Sequence, residues 1–283
     1  MSRRLLLRWS VAASVTLLCA FVLVKYFDLH QIVRTILASD RRFILIGAFI
    51  SAVTINLRAF RLCLCVSGKL VSPLIPVAYI YNALSALLPA KLGEVTLPLL
   101  LRHRAKTSIS IGVGVLVLLR LLDLLSLALI GSLMTAIAVY PADTTLGLVA
   151  LAGTAASAVS LSALLIVGPA LARTVAKHGT SKLPPVRLAS RIASPIACMS
   201  RRRLAKLLML SLAVWVSLFA SFVALSHATL GQVAVFQIGA AGTAASLAFA
   251  IPASAIANVG PFQAAWVWVL VTFGHAPSPA LAS

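Results

Sequence analysis

Residues 228 to 274 read ATLGQVAVFQIGAAGTAASLAFAIPASAIANVGPFQAAWVWVLVTFG, and these 47 residues hold no Asp, Glu, Lys, Arg or His. As one continuous helix the stretch would be about 70 Å long, against a hydrocarbon core of about 30 Å. It must span twice or fold back. Pro252 and Asn258-Val259-Gly260-Pro261 mark the break. The rest of the chain has the same character: 283 residues, 61% apolar and 10% charged, with a mean hydropathy of +1.07. A soluble domain carries about 25% charged residues. The composition excludes a soluble enzyme, a disordered tail and a disulfide scaffold. It predicts an all-α polytopic membrane protein with about 6–8 transmembrane helices, two of its segments broken or re-entrant. Residues 1–283 form one integral membrane domain, with halves of about 1–140 and 141–283.

Charge placement agrees. The chain carries 24 Lys+Arg against 5 Asp+Glu, a net charge of +19. The cations cluster between apolar runs, the positive-inside pattern of an inner cell membrane protein, and nucleic-acid binding is discarded. Apolar runs predict spans at Leu5–Tyr26, Phe43–Leu57, Leu70–Ala90, Thr107–Tyr140, Thr144–Ala172 and Leu207–Ser226, before the final double stretch. The first is read as an uncleaved helix with its N-terminus inside. Residues 173–206 hold nine cations (Arg173, Lys177, Lys182, Arg187, Arg191, Arg201, Arg202, Arg203, Lys206) and form a basic cytoplasmic loop. The uncharged loops near Tyr140–Thr144 and Thr229–Val233 face out. Cys19, Cys63, Cys65 and Cys198 fit no metal or redox spacing and read as buried small apolar residues.

Orientation decides the first half. If Leu70–Ala90 crosses fully, Arg3, Arg4 and Arg8 face out. If Pro76–Leu101 is a re-entrant hairpin broken at Pro89–Gly93, the N-terminus returns to the cytoplasm and Lys25–Arg42 lies on the outer interface. The hairpin is the better reading. It places one interrupted segment, Ala86–Glu94, entering from the cytoplasm and another, Ala250–Pro261, entering from outside. Paired interrupted segments in oppositely oriented halves point to an inverted repeat and to a transporter substrate site.

Few residues within the apolar region can carry chemistry. Glu94 and Asp123 are its two acids. Arg120 stands three residues before Asp123 on the same helical face, which predicts that the two pair with each other or line a polar path. Glu94 either caps a helix start, or takes a proton or cation while Lys91 and the free amides grip an anionic headgroup. Tyr81 and Asn82 suit a mid-helix polar contact or an interhelical hydrogen bond. Gln263 caps the helix after Gly260-Pro261 or faces a cavity. Arg58 and Arg61 read as an inner-interface anchor, with lipid binding as the lesser alternative. Gly112-Val113-Gly114 allows close helix contacts.

The succession Pro89-Ala-Lys-Leu-Gly-Glu94, Arg120-Leu-Leu-Asp123 and Pro252 to Asn258-Val-Gly-Pro-Phe-Gln263 resembles the lysylphosphatidylglycerol synthase transmembrane family, also called flippase-like or uncharacterised membrane protein family 0104. The resemblance covers roughly 28–283 and falls on Pro89, Lys91, Gly93, Glu94, Arg120, Asp123, Pro252, Gly260 and Gln263. It implies lipid translocation between leaflets or assistance to a lipid-modifying enzyme. Three departures stand out: Leu119 replaces a frequent Glu, Gln263 replaces another, and the chain stops at Ser283 where relatives usually continue into one more helix, so a truncated or degenerate copy is expected. With no aminoacyltransferase domain in these residues, this chain is not expected to synthesise the aminoacyl lipid itself.

Together these features predict a non-enzymatic lipid transporter for an anionic phospholipid or a polyprenyl-phosphate-linked lipid. Its expected binding or translocation residues are Asn82, Pro89, Lys91, Gly93, Glu94, Arg120, Asp123, Pro252, Asn258, Gly260 and Gln263. The alternative is a non-transporting accessory protein for a lipid-modifying enzyme or glycosyltransferase. No cofactor is expected, and with no P-loop transport by this chain alone is secondary or passive.

Overall fold

The computed structural model describes residues 34, 37–68, 72–88, 92–140, 142–177, 184–249 and 260–275. The expected first span, the interfacial segment before residue 34, and Pro89, Lys91, Pro252 and Asn258 lie outside them. Ten α-helices occur among the described residues: α1 (Arg41–Ser67), α2 (Leu74–Leu87), α3 (Thr96–Ala105), α4 (Ile109–Val139), α5 (Thr144–Ile166), α6 (Gly168–Lys177), α7 (Pro184–Ala197), α8 (Arg201–Leu230), α9 (Val235–Phe249) and α10 (Pro261–Thr272).

Four of them, α1, α4, α5 and α8, are long and apolar enough to cross a membrane. At 23 to 31 residues they reach about 35–46 Å. Each starts at a polar residue whose side chain accepts a hydrogen bond from a first-turn amide. Asp40 serves Arg42, Ser108 serves Ile111, Asp143 serves Leu146 and Ser200 serves Arg203. Gly68, in left-handed backbone at φ 78°, stops α1. Exposure runs opposite to that of a soluble protein: Phe49 is 71% exposed while Arg61 is 5% exposed. Lipid is the solvent that makes this arrangement favourable.

The crossings alternate. The Asp40 amide donates to the Ala228 carbonyl, which puts the start of α1 beside the end of α8. At the other end, the Arg203 guanidinium donates to the carbonyls of Leu64 and Cys65, at 2.8 and 2.9 Å. This second face of the bundle is the basic one, carrying Arg102, Arg104, Lys106, Lys177 and Arg201. Between these ends α1 and α8 run antiparallel along a seam of small and hydroxylated residues. Ser51 and Ser221 hydroxyls meet at 2.7 Å, Thr54 donates to Ser217 at 2.9 Å, Ser221 donates to the Gly47 carbonyl, and Gly47 lies under Leu225. In lipid such close, polar seams replace the hydrophobic drive that packs helices in water.

Two helical hairpins enter from opposite faces. In the first, α2 and α3 are joined through a 3₁₀ turn at Leu92–Val95. With 14 and 10 residues they reach about 21 and 15 Å, too short to cross. The hairpin both leaves and regains the basic face, next to Ser67 and Ser108, as the re-entrant reading requires. In the second, α9 and α10 turn back to the Asp40 face, where His275 Nε2 lies 3.3 Å from Gln237 Oε1 at the start of α9. Aromatic rings of Phe222, Phe262 and Trp266 seat this hairpin on α8, and Gly131 of α4 lies under Thr243 of α9.

Several boundaries differ from the sequence reading. The basic segment 173–206 is not a loop among its described residues. It holds the second half of α6, all of α7 and the start of α8. The helices α6 and α7 are strongly one-sided in polarity and pack together at the basic face, with α7 closing on α4 where Gly114 admits the Ile192 carbonyl. The expected span to Ala172 stops at Ile166. Cys63 and Cys65 are buried, as expected, but Cys198 is exposed at the end of α7 because the chain turns there at the bundle surface.

Candidate functional site

The polar side chains at mid-depth converge on α4 from three directions. From Ile109 to Arg120 is about 17 Å along the helix, and to Asp123 about 21 Å, so both lie far from either interface. Arg61 of α1 reaches Asp123 with two hydrogen bonds, Nη1 to Oδ1 at 2.5 Å and Nη2 to Oδ2 at 3.1 Å. Ser211 of α8 accepts a third from Arg61 Nη1 at 3.0 Å. This bidentate pair is deep, with side chains 6% and 17% exposed. A forked guanidinium on a carboxylate is the geometry that best offsets desolvation of two charges.

Arg120 turns instead to the tip of the first hairpin. Its Nη2 lies 2.9 Å from Glu94 Oε1 and 3.2 Å from the Tyr81 hydroxyl. This pair is more open, with side chains 36% and 24% exposed. Gly93 makes the tip possible. A Cβ there would meet the Leu84 carbonyl oxygen and the Ser85 backbone, so only glycine lets the 3₁₀ turn close against α2. Thr96 ties the turn further, donating to the Gly93 carbonyl at 2.5 Å.

The expected pairing of Arg120 with Asp123 is therefore corrected. Spacing puts them on one face of α4, but each finds its opposite charge on a neighbouring element. Arg58 and Arg61 are corrected too. They are not an interface anchor, because α1 continues to Ser67 and carries them inside the bundle. Arg58 donates to Asn82 Oδ1 at 3.3 Å, which gives Asn82 the interhelical role that was one of its two readings. Nearby, the exposed Tyr79 hydroxyl donates to Asn56 Oδ1 at 2.9 Å, so the seam between α1 and α2 carries polar groups to the surface.

Gln263 takes the capping alternative. Its Oε1 accepts from the Gly260 amide at 2.9 Å, with Gly260 at φ 125° ahead of Pro261. Gly260 and Gln263 thus build the start of α10 and are not among the described residues gathered around Arg61, Arg120 and Asp123.

The cluster consists of three arginines, two acids, Tyr81, Asn82 and Ser211. One charge at this depth costs at least about 2.5–3.5 kcal/mol by insertion scales, so five together need mutual pairing. Two orphans remain: Arg61 Nε and Arg120 Nε are buried with no hydrogen-bond partner among the described residues. Such an arrangement can hold an oxyanion or pass a proton, and it carries no nucleophile–base pair.

No curated protein and no solved structure matches the chain. A family profile does, that of the lysylphosphatidylglycerol synthase TM region, over residues 9–283. This profile describes a membrane region and not a catalytic domain. With four spanning helices, two opposed hairpins and this match over nearly its whole length, the chain belongs to the lysylphosphatidylglycerol synthase TM region family.

Proposed function

We propose that the chain passes an anionic lipid, either a phospholipid or a polyprenyl-phosphate-linked lipid, between the leaflets of the inner cell membrane. Its basic face is cytoplasmic in this reading, and it catalyses no covalent step. The observation that carries the reading is the half-open Glu94–Arg120 pair at the tip of a hairpin that enters from the basic face. Non-helical backbone and charge at this depth survive only where protein or a polar path satisfies them. Headgroup phosphate would displace Glu94 from Arg120 while the acyl or prenyl chains stay in lipid.

A second reading, an accessory protein for a lipid-modifying enzyme or glycosyltransferase, is favoured by a different observation. Both acids of the cluster are already paired within the chain. Proteoliposomes separate the two. Labelled phosphatidylglycerol and labelled polyprenyl phosphate are followed across the bilayer for wild type and Glu94→Gln. Transport predicts faster exchange than in empty liposomes, reduced in the folded variant. Exchange no faster than in empty liposomes for either probe hands the function to the accessory reading.

A further inference from the structure

At the basic face, the end of α1, the returning limb of the first hairpin and the α7–α8 turn enclose a cavity of about 210 Å³. Two of its lining residues are cysteines, Cys65 of α1 and Cys198 of the turn. They come from distant parts of the chain, so no local spacing announces the pair. Cys65 stands two residues before the end of α1 at Ser67, and the turn is held against that end twice. Met199 is 6% exposed and packs in the same core cluster as Cys65, and Arg203 donates to the carbonyls of Leu64 and Cys65. Cys63 is not among the lining residues, because two positions along a helix turn it about 200° away. The two lining thiols differ in access. Cys198 is exposed just past the last residue of α7, whereas Cys65 is 2% exposed. Thr107 also lines the cavity, and its hydroxyl is buried with no hydrogen-bond partner among the described residues. A water or a peroxide held in the cavity would supply that partner.

We propose that Cys65 and Cys198 are an oxidisable pair, which a peroxide converts to a disulfide that fastens the α7–α8 turn to the end of α1. Cys198, having lost its proton, attacks one peroxide oxygen. The O–O bond breaks, the other oxygen takes a proton and leaves as water, and Cys198 becomes a sulfenic acid. The Cys65 sulfur then attacks the Cys198 sulfur, the S–O bond breaks, and the hydroxyl leaves with the Cys65 proton as a second water. Two thiols thus give two electrons to one peroxide. A disulfide needs Cβ atoms about 3.5–4.5 Å apart, and Cys198 is free to close that distance because it lies beyond the helix beside vacant volume. On a cytoplasmic face thiols rest reduced, so the bond forms only under oxidant and works as a switch. Leu101 of α3 is buried and borders the same cavity. Closing the cavity therefore removes the space beside the hairpin's returning limb and brakes its movement. That brake on leaflet exchange rests on the transport reading above; the bond itself does not.

The test treats the purified full chain in neutral detergent with hydrogen peroxide, blocks the remaining thiols and digests it without reductant for mass spectrometry. Wild type should give a disulfide between the peptides of Cys65 and Cys198 within one chain, reversed by dithiothreitol. The oxidised protein should melt about 5 °C or more above the reduced one. Cys65→Ser and Cys198→Ser should each abolish both the link and the shift. If Cys65→Ser does not fold, Cys198→Ser at the exposed turn decides alone, and Cys65 should then stay reduced under peroxide that oxidises wild type. Cys198 joined to Cys19, to Cys63 or to a second chain overturns the pair. So does Cys198 carried to the sulfinic acid while Cys65 remains a free thiol, or neither thiol oxidised. In proteoliposomes, exchange of labelled phosphatidylglycerol should be lost on oxidation and regained on reduction. Unchanged exchange with the link formed keeps the pair and overturns the brake. Absence of exchange in the reduced protein as well counts against transport and leaves the pair standing on its link.

Discussion

Asp123→Asn breaks the deepest charge pair in the protein. The amide keeps the shape of the carboxylate but removes its charge and turns one acceptor into a donor facing Arg61. Two hydrogen bonds, at 2.5 and 3.1 Å, are lost or inverted, and Arg61 keeps only its contact with Ser211. With the Arg61 side chain 6% exposed, water cannot replace the lost partner. Breaking one side of a buried pair costs about 3–5 kcal/mol, a large share of a total stability of about 5–15 kcal/mol. Glu94→Gln breaks the more open pair, whose side chains are 24% and 36% exposed. Screening at that exposure reduces its cost to about 1 kcal/mol or less. The assay is thermal unfolding in detergent micelles followed by size-exclusion chromatography, with both variants and the double variant Arg61→Met/Asp123→Leu. The double change removes both charges together and should recover most of what Asp123→Asn loses. Equal losses for Asp123→Asn and Glu94→Gln, or a double variant no better than the single, would refute the ranking by depth.

Two further outcomes test the hairpin and the orientation. Gly93→Ala should cost about 1–3 kcal/mol, because its Cβ would collide with the backbone of Leu84 and Ser85; Gly153→Ala, whose Cβ would sit 3.6 Å from Ser132 Cβ, should be neutral or stabilise by up to about 1 kcal/mol. Thermal midpoints of the two variants check this, and similar losses at both positions contradict it. In a Cys19→Ser background, Cys198 should react with a membrane-impermeant maleimide in inside-out vesicles and not in right-side-out cells, while buried Cys63 and Cys65 stay unlabelled until the protein is unfolded.

What could be read from the sequence was whatever depends on local pattern. The long apolar runs located α1, α4, α5 and α8, and the Pro89–Gly93 interruption located the first hairpin's turn. Scarcity of acids singled out Glu94 and Asp123, since any carboxylate in lipid needs a reason to be there. Partners were not legible, because they lie on different helices. Spacing of three residues joined Arg120 to Asp123, yet Glu94 and Arg61 are the nearer charges in three dimensions. Arg58 and Arg61 were misplaced because the apolar window of α1 was closed at Leu57. The signal that could have corrected this is the run Leu62-Cys63-Leu64-Cys65-Val66, which continues apolar to the first breaker at Gly68. The α1–α8 seam left a trace as well: Gly47, Ser51 and Thr54 repeat at helical spacing, a pattern that packs in lipid but means little in water.

That seam also sets an order of events during synthesis. Arg61 and Ser211 are 150 residues apart, Thr54 and Ser217 163, and Ser51 and Ser221 170. At about 5–20 residues per second, α8 leaves the ribosome about 8–30 s after α1. Through that interval α1 sits in the bilayer without its main partner. Thr54 can wait, because its hydroxyl bonds back to the Ile50 carbonyl at 2.9 Å within its own helix. Arg61 has no such local recourse, and its counter-charge comes sooner: Asp123 follows by 62 residues, about 3–12 s. The next full-length span thus delivers the acid for the group that tolerates lipid least, and the hydroxyls that can satisfy themselves are matched last.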